Sequence, residues 1–156
     1  MTNNRTWDQQ VRYFRKHNNS YDPRKNFDID LFTIINNWLR DGIRIILCLD
    51  ANEDVSQGQF NTQATTNGLF NVHTSIHNDP LPPTHNNGSK PISAIYAFLG
   101  LTPTRCGILK HGEGIEGDHR NMFVDFHQDN LLGDEIYVVP PPQQRRLQLY
   151  DSRIVD

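Results

Sequence analysis

The chain has 156 residues, a length that suits one domain with a substantial buried core. Apolar residues make up 36% and charged residues 21%, and the net charge of −3 excludes a general basic surface, though not a nuclease whose bound cations change the local charge. Two cysteines exclude a disulfide framework, and the absence of a hydrophobic leader or membrane-length run predicts an intracellular protein, in the cytoplasm or nucleus, with no membrane partner.

Two helices are predicted in the first part of the chain. Thr6-Trp7-Asp8-Gln9 has the form of a capping box, which predicts a helix from there to about Lys16. A second helix, capped by Asp28 or Asp30 and ended by Gly42, is predicted from apolar residues at helical spacing: Leu31, Ile34, Ile35, Trp38 and Leu39.

A short apolar run then leads into polar residues. Ile45-Ile46-Leu47-Cys48-Leu49 predicts a strand buried on both faces, with Cys48 as a core thiol. Asp50-Ala51-Asn52 follows at the strand end, where α/β sheets usually place a site. Because side chains alternate along a strand, Asp50 and Asn52 are expected to point to the same side. For this motif alone, a polar strand end followed by a turn is the commoner interpretation.

The second half of the chain predicts mainly strands, at 69–73, 92–99, 106–110 and 122–126, after a weak helix within 56–67. His73 and His77 have H-x-x-x-H spacing, which on a helix would suggest a metal pair. Their neighbours alternate apolar and polar, which favours an extended stretch that separates the two side chains. We predict a domain at 1–132 and a basic tail containing prolines at 133–156.

Three motifs in order carry a family resemblance: Asp50-Ala51-Asn52 after a strand, Pro91-Ile92-Ser93-Ala94-Ile95-Tyr96 within one, and Gly117-Asp118-His119-Arg120 before one. Together they resemble the C-terminal half of the endonuclease/exonuclease/phosphatase superfamily, which includes apurinic endonucleases, deoxyribonucleases and the endonuclease domains of retroelements. The resemblance covers roughly Thr6 to Gln128. It implies an α/β fold, a layered α/β sandwich of which this chain is only the C-terminal half, one sheet with covering helices.

The resemblance implies metal-assisted hydrolysis of a phosphodiester in nucleic acid, DNA rather than RNA. Asp50 would polarise or deprotonate the attacking water, and Asn52 would donate hydrogen bonds to the scissile phosphate. Asp118 would bind the catalytic Mg²⁺ or Mn²⁺, and His119 would stabilise charge on the phosphoryl oxygens or act as an acid. Oxygen ligands without a cysteine cluster favour Mg²⁺ or Mn²⁺ over structural Zn²⁺.

Two departures from the family pattern weaken the expected activity. Ser93 stands where the family has an Asp that hydrogen-bonds the catalytic His, so the negative charge that favours imidazolium is missing. No segment before Asp50 predicts the strand and Glu that the family's N-terminal half supplies near the metal. The sequence therefore predicts half of a phosphodiesterase site, truncated or degenerate, with little activity alone.

Three hypotheses follow from this half of a site. A second copy in a homodimer, or a separate chain carrying the missing N-terminal half, would complete an active nuclease. Alternatively, the chain is a non-catalytic remnant of a retroelement endonuclease that binds nucleic acid or a protein. A phosphatase of the same fold is a third hypothesis, although nothing basic in the loops supports it.

Two structural expectations complete the prediction. The five motif residues should converge at one end of a single sheet: Asp50, Asn52, Ser93, Asp118 and His119. One sheet of a two-sheet sandwich should also expose an apolar face, or hide it in a homodimer, with members drawn from Ile45, Leu47, Leu49, Ile95 and Phe123.

Overall fold

A computed structural model describes residues 6–17, 22–77 and 79–133, so nearly all of the predicted tail at 133–156 lies outside the described residues. Its helices are α1 (Thr6–Lys16), α2 (Pro23–Arg40), α3 (Gln59–Thr66), α4 (Val72–Ile76) and α5 (Gln128–Leu132). Its strands are β1 (Ile46–Asp50), β2 (Leu69–Asn71), β3 (Ser93–Phe98), β4 (Pro103–Ile108) and β5 (Met122–Phe126).

The strands form two antiparallel sheets. One has three strands in the order β1-β3-β2, and the other is the β4-β5 hairpin. In the first sheet Asp50 of β1 pairs with Ser93 of β3, which brings two of the predicted site residues side by side. The predicted α/β sandwich is confirmed, with a second, two-stranded sheet in addition to the one that was expected.

β3 is the central strand, and its two faces contribute to two different cores. Ala94 and Tyr96 pack with α2 and α3, and Ile95 and Ala97 pack against the β4-β5 hairpin. This alternation was predicted from the sequence, because every second side chain of a strand points to the same face. All four residues are buried, so β3 is the strand that joins the layers of the sandwich.

β1 differs from its prediction, because it lies at the edge of its sheet and is buried on one face only. Leu47 and Leu49 pack on the core beneath α2, whereas Ile46 is 38% exposed and Cys48 is exposed. The core beneath the β4-β5 hairpin includes residues of β3 but none of β1, which explains the uncovered face. Cys48 is therefore not the core thiol.

Of the residues named for the predicted apolar patch, Leu47, Leu49 and Phe123 are half-buried. Ile45 and Ile95 are buried, and the exposed apolar side chains of this region include Ile46 instead. Cys106 of β4 is the buried thiol, and its burial raises the pKa of that thiol. Among the described residues, no helix combines the length and the apolar character needed to cross a membrane.

α2 begins earlier than predicted. Asp22, rather than Asp28 or Asp30, is the N-cap, and its carboxylate accepts a hydrogen bond of 2.8 Å from the amide of Lys25. Pro23 follows at the first helical position, where its missing N–H leaves no donor unsatisfied. Gly42 adopts a positive φ of 77° just beyond the helix, as the sequence predicts for a helix end.

The stretch after β2 is the clearest error in the predicted secondary structure. Residues 72–76 form α4 rather than continuing the strand, because the Asn71 side chain accepts hydrogen bonds from the amides of His73 and Thr74 and starts a helix. His73 is fully buried, and its Nε2 lies 3.1 Å from the carbonyl oxygen of Gly107. The helix thus joins the first sheet to β4.

Burial lowers the pKa of His73, and this has a consequence for stability at low pH. A lowered pKa means that the folded state resists protonation of His73. The free energy of unfolding is therefore highest above about pH 6.5, the pKa of the histidine in the unfolded chain, and it falls as the pH drops below that value. We expect urea midpoints to fall between about pH 7.5 and about pH 5.5, and His73→Gln to flatten that fall. The same substitution at the exposed His111 should leave the fall in urea midpoint unchanged. If the midpoint falls equally in the unaltered chain and in both variants, His73 is not the cause of the pH dependence.

Candidate active site

A buried threonine holds the loop on which part of the site is built. Thr84 is fully buried, and its Oγ1 accepts hydrogen bonds from the amides of Ile92 and Ser93 at 2.9 and 3.0 Å. Its carbonyl oxygen accepts a bond of 2.7 Å from the amide of Arg120. One residue therefore fixes the start of β3 and the loop before β5 relative to each other.

The same loop makes two further backbone contacts with the segment before β5. The amide of Asn86 donates to the carbonyl of Asp118 at 2.9 Å, and His85 forms an isolated antiparallel bridge with His119. These contacts bring Asp118 and His119 to the end of the first sheet, although both precede a strand of the second sheet. The site therefore lies at the end of the first sheet, with Asp50 and Ser93 supplied by its strands and Asp118 and His119 by the loop before β5.

His119 lies between a hydroxyl group and a carboxylate. Its Nδ1 is 2.9 Å from Oγ of Ser93, and its Nε2 is 3.7 Å from Oδ2 of Asp50. When Nδ1 carries the proton and donates it to the hydroxyl, Nε2 is left with a lone pair facing Asp50. His119 is partly buried and Asp50 is open to solvent, so a ligand can approach the pair from outside.

Asp118 has a neighbour that the sequence did not single out. Nε2 of His85 lies 3.5 Å from Oδ2 of Asp118, and the rings of His85 and His119 meet edge to face with centroids 5.0 Å apart. One ligand atom from each of His85, Asp118 and His119 lies within 4.8 Å of the other two. The His85 side chain is 27% exposed and that of Asp118 is 69% exposed.

Asn52 does not continue the strand geometry of β1. It has a positive φ of 52°, in the left-handed region, and its amide donates to Oδ1 of Asp50 at 3.1 Å in a tight turn. The alternation used to place Asp50 and Asn52 on one side therefore ends at Asp50. Both residues line a cleft of about 310 Å³ beside α2, which Trp7 and Phe27 also border.

The structure thus brings together Asp50, Ser93, Asp118 and His119 around the ring of His119, and it places Asn52 in the adjoining turn. Sequence reasoning missed His85 and Thr84. The turn at 84–88 lies outside the three motifs, and no spacing in it signals a ligand. A long-range contact between this turn and residues 118–120 was the missing information.

The donor set around His119 can be compared with the expected cation. Asp118 and Asp50 supply carboxylate oxygens that a hydrated Mg²⁺ or Mn²⁺ accepts. His85 and His119 add two imidazole nitrogens, which Mg²⁺ uses poorly and transition metals use well. The carboxylates therefore fit the expected ions, and the imidazoles go beyond what Mg²⁺ needs.

No protein-family model, no curated protein and no solved structure matches this chain. The family resemblance therefore depends on the three sequence motifs.

Removing the Thr84 hydroxyl while keeping its shape tests how the site is held. Thr84→Val leaves the amides of Ile92 and Ser93 without their acceptor, and we expect a loss of about 1–3 kcal/mol in the free energy of unfolding. Chemical denaturation measures this loss. Thr84→Ser keeps the oxygen and should recover most of the stability. Equal stability of the Val and Ser variants would show that the two hydrogen bonds contribute nothing.

Proposed function

We propose that this chain carries part of the active site of a divalent-metal-dependent endonuclease that hydrolyses phosphodiesters in nucleic acid, DNA rather than RNA. The observation that supports this most is the position of His119, held by Ser93 on one ring nitrogen and facing Asp50 with the other. Its neighbour Asp118 supplies a carboxylate at the same point. An acid, a base and a cation ligand within a few ångströms suit attack on a phosphodiester.

Each residue has a role that its surroundings support. Asp50 polarises or deprotonates the attacking water through Oδ2. That oxygen takes no part in the turn, whereas Oδ1 accepts a hydrogen bond from the amide of Asn52. His119 in its protonated form donates to a phosphoryl oxygen through Nε2. Asn52 lies on the turn beside them, where its side-chain amide can donate to the same phosphate.

Asp118 would hold Mg²⁺ or Mn²⁺, which when bound neutralises charge on the phosphate. The proposed rate is low, because Ser93 holds Nδ1 of His119 with a neutral hydroxyl, which adds no charge to the site. The remaining carboxylate ligand would come from a second copy or from a separate N-terminal half.

The proposed location is the cytoplasm or the nucleus, where nucleic acid is present and Cys48 and Cys106 stay reduced. The net charge of −3 gives the chain no general electrostatic attraction to DNA. The cation at the site, rather than a basic surface, is therefore the proposed source of affinity for phosphate.

Plasmid nicking with Mn²⁺ or Mg²⁺ tests the proposal. We expect slow nicking that disappears in Asp118→Asn and persists in Asp125→Asn, a matched control on β5 whose carboxylate is also largely exposed. DNA binding without nicking, measured by fluorescence anisotropy, would favour the non-catalytic remnant instead. Nicking that survives Asp118→Asn, or a chain that neither binds nor nicks DNA, would contradict the proposal.

A further inference from the structure

We propose that His85, Asp118 and His119 form a binding site for a divalent transition metal of the Zn²⁺ type, which the chain binds more tightly than Mg²⁺. One ligand atom of each residue lies within 4.8 Å of the others. Two imidazoles with one carboxylate, leaving an open position for water, are a donor set that suits Zn²⁺ and its neighbours. With Zn²⁺ bound, Nε2 of His119 is a metal ligand and no longer donates to phosphate, so this state is an alternative to the Mg²⁺-supported state of the proposed function; binding itself is measured without substrate.

The distances already approach those of a metal site. Two ligands bound at ~2.1 Å to one tetrahedral ion lie ~3.4 Å apart. Nε2 of His85 and Oδ2 of Asp118 are 3.5 Å apart, which matches this separation. The ligand atom of His119 lies within 4.8 Å of the other two, so a shift of up to about 1.4 Å brings it to the same spacing.

His119 is oriented as metal-binding histidines usually are. Such a histidine donates its second ring N–H to a fixed acceptor, which sets the tautomer and the ring direction. Ser93 Oγ is that acceptor, at 2.9 Å from Nδ1. Nε2 is then the nitrogen left for the ion, and Asp50 at 3.7 Å from it can accept a hydrogen bond from a metal-bound water.

His85 requires one change when a metal binds. The amide of Asn87 lies 3.2 Å from Nδ1 of His85, so the neutral ring carries its proton on Nε2, directed at Asp118. An ion that takes the position of this proton moves it to Nδ1 and breaks the contact with Asn87. Asn87 is exposed, so water replaces that contact.

Isothermal titration of the full chain, free of any affinity tag, with Zn²⁺ and separately with Mg²⁺ tests the site. We expect one Zn²⁺ per chain, bound at least about 10²-fold more tightly than Mg²⁺. His85→Ala should weaken Zn²⁺ binding at least about tenfold, and the exposed His111→Ala should leave it unchanged. Zn²⁺ binding that is equal in both variants, or no stronger than Mg²⁺ binding, would overturn the inference.

A measurement on the unaltered chain covers the case in which a variant misfolds. Paramagnetic Co²⁺ should broaden the ring signals of His85 and His119 first and spare those of His17 and His111 in proton–nitrogen spectra. Broadening of other histidines first would place the metal elsewhere and reject the site. Zn²⁺ binding without any DNA nicking would refute the proposed function alone, and Mg²⁺-supported nicking without Zn²⁺ binding would refute this inference alone.

Discussion

Replacing His119 with alanine is expected to lower the rate of metal-dependent phosphodiester hydrolysis about 10²–10³-fold. The ring lies between Ser93 and Asp50, and alanine removes the proposed hydrogen bond from its Nε2 to the phosphoryl oxygen. Since the side chain is about one-third exposed, the loss should appear in the rate much more than in the free energy of unfolding. Initial rates of plasmid nicking, with unfolding curves on the same samples, separate the two effects.

Ser93 and a distant histidine provide the controls for this prediction. Ser93→Ala frees the ring of His119 without removing it, so it should lower the rate by less than His119→Ala does. Ser93→Asp alone should not give a fully active enzyme, because the cation site would still lack a carboxylate. His111→Ala should match the unaltered chain. If His119→Ala nicks as fast as His111→Ala, His119 has no catalytic role.

The second large effect concerns the centre of the fold. Tyr96→Ala is expected to reduce the free energy of unfolding by about 3–5 kcal/mol, because it empties a fully buried position on the central strand. The ring packs at 5.7 Å from that of Phe60, and its hydroxyl donates to Asn61 Oδ1 at 3.2 Å. Urea or thermal unfolding followed by circular dichroism measures the loss.

Two variants show whether the position or the residue type is responsible. Tyr96→Phe keeps the ring and loses the hydroxyl contact, so it should cost about 1 kcal/mol. Tyr13→Ala removes a tyrosine that is 60% exposed on α1, and it should change stability by less than about 0.5 kcal/mol. A Tyr96→Ala variant as stable as Tyr13→Ala would show that the described core does not hold the fold together.

Local sequence signals predicted most of the elements. The helix after Thr6, the helix ended by Gly42, and the strand at 122–126 follow from capping, spacing and alternation that the chain carries within each segment. The two faces of β3 were predicted for the same reason. Errors arose where a neighbouring side chain changed the local preference, as when Asn71 capped α4 inside an apparent strand.

The burial of β1 could not be predicted from its own residues. An unbroken apolar run is compatible with a strand covered on both faces, and its composition does not reveal whether a second layer extends that far. In the fold the β4-β5 hairpin packs on β3, so Ile46 and Cys48 of β1 remain exposed while Cys106 is buried. Which thiol is buried was therefore decided by how the two sheets overlap.

The sequence alone determined the α/β class, the order of most helices and strands, and four residues that meet at one point, Asp50, Ser93, Asp118 and His119. Only the tertiary structure placed His85 beside them, because that contact joins a turn to a loop 33 residues further along the chain (118 − 85) through backbone hydrogen bonds that no local pattern encodes. It also decided that Asn52 turns away from strand geometry. Motifs record which chemical groups are present, whereas the ligand set depends on which loops the fold packs together.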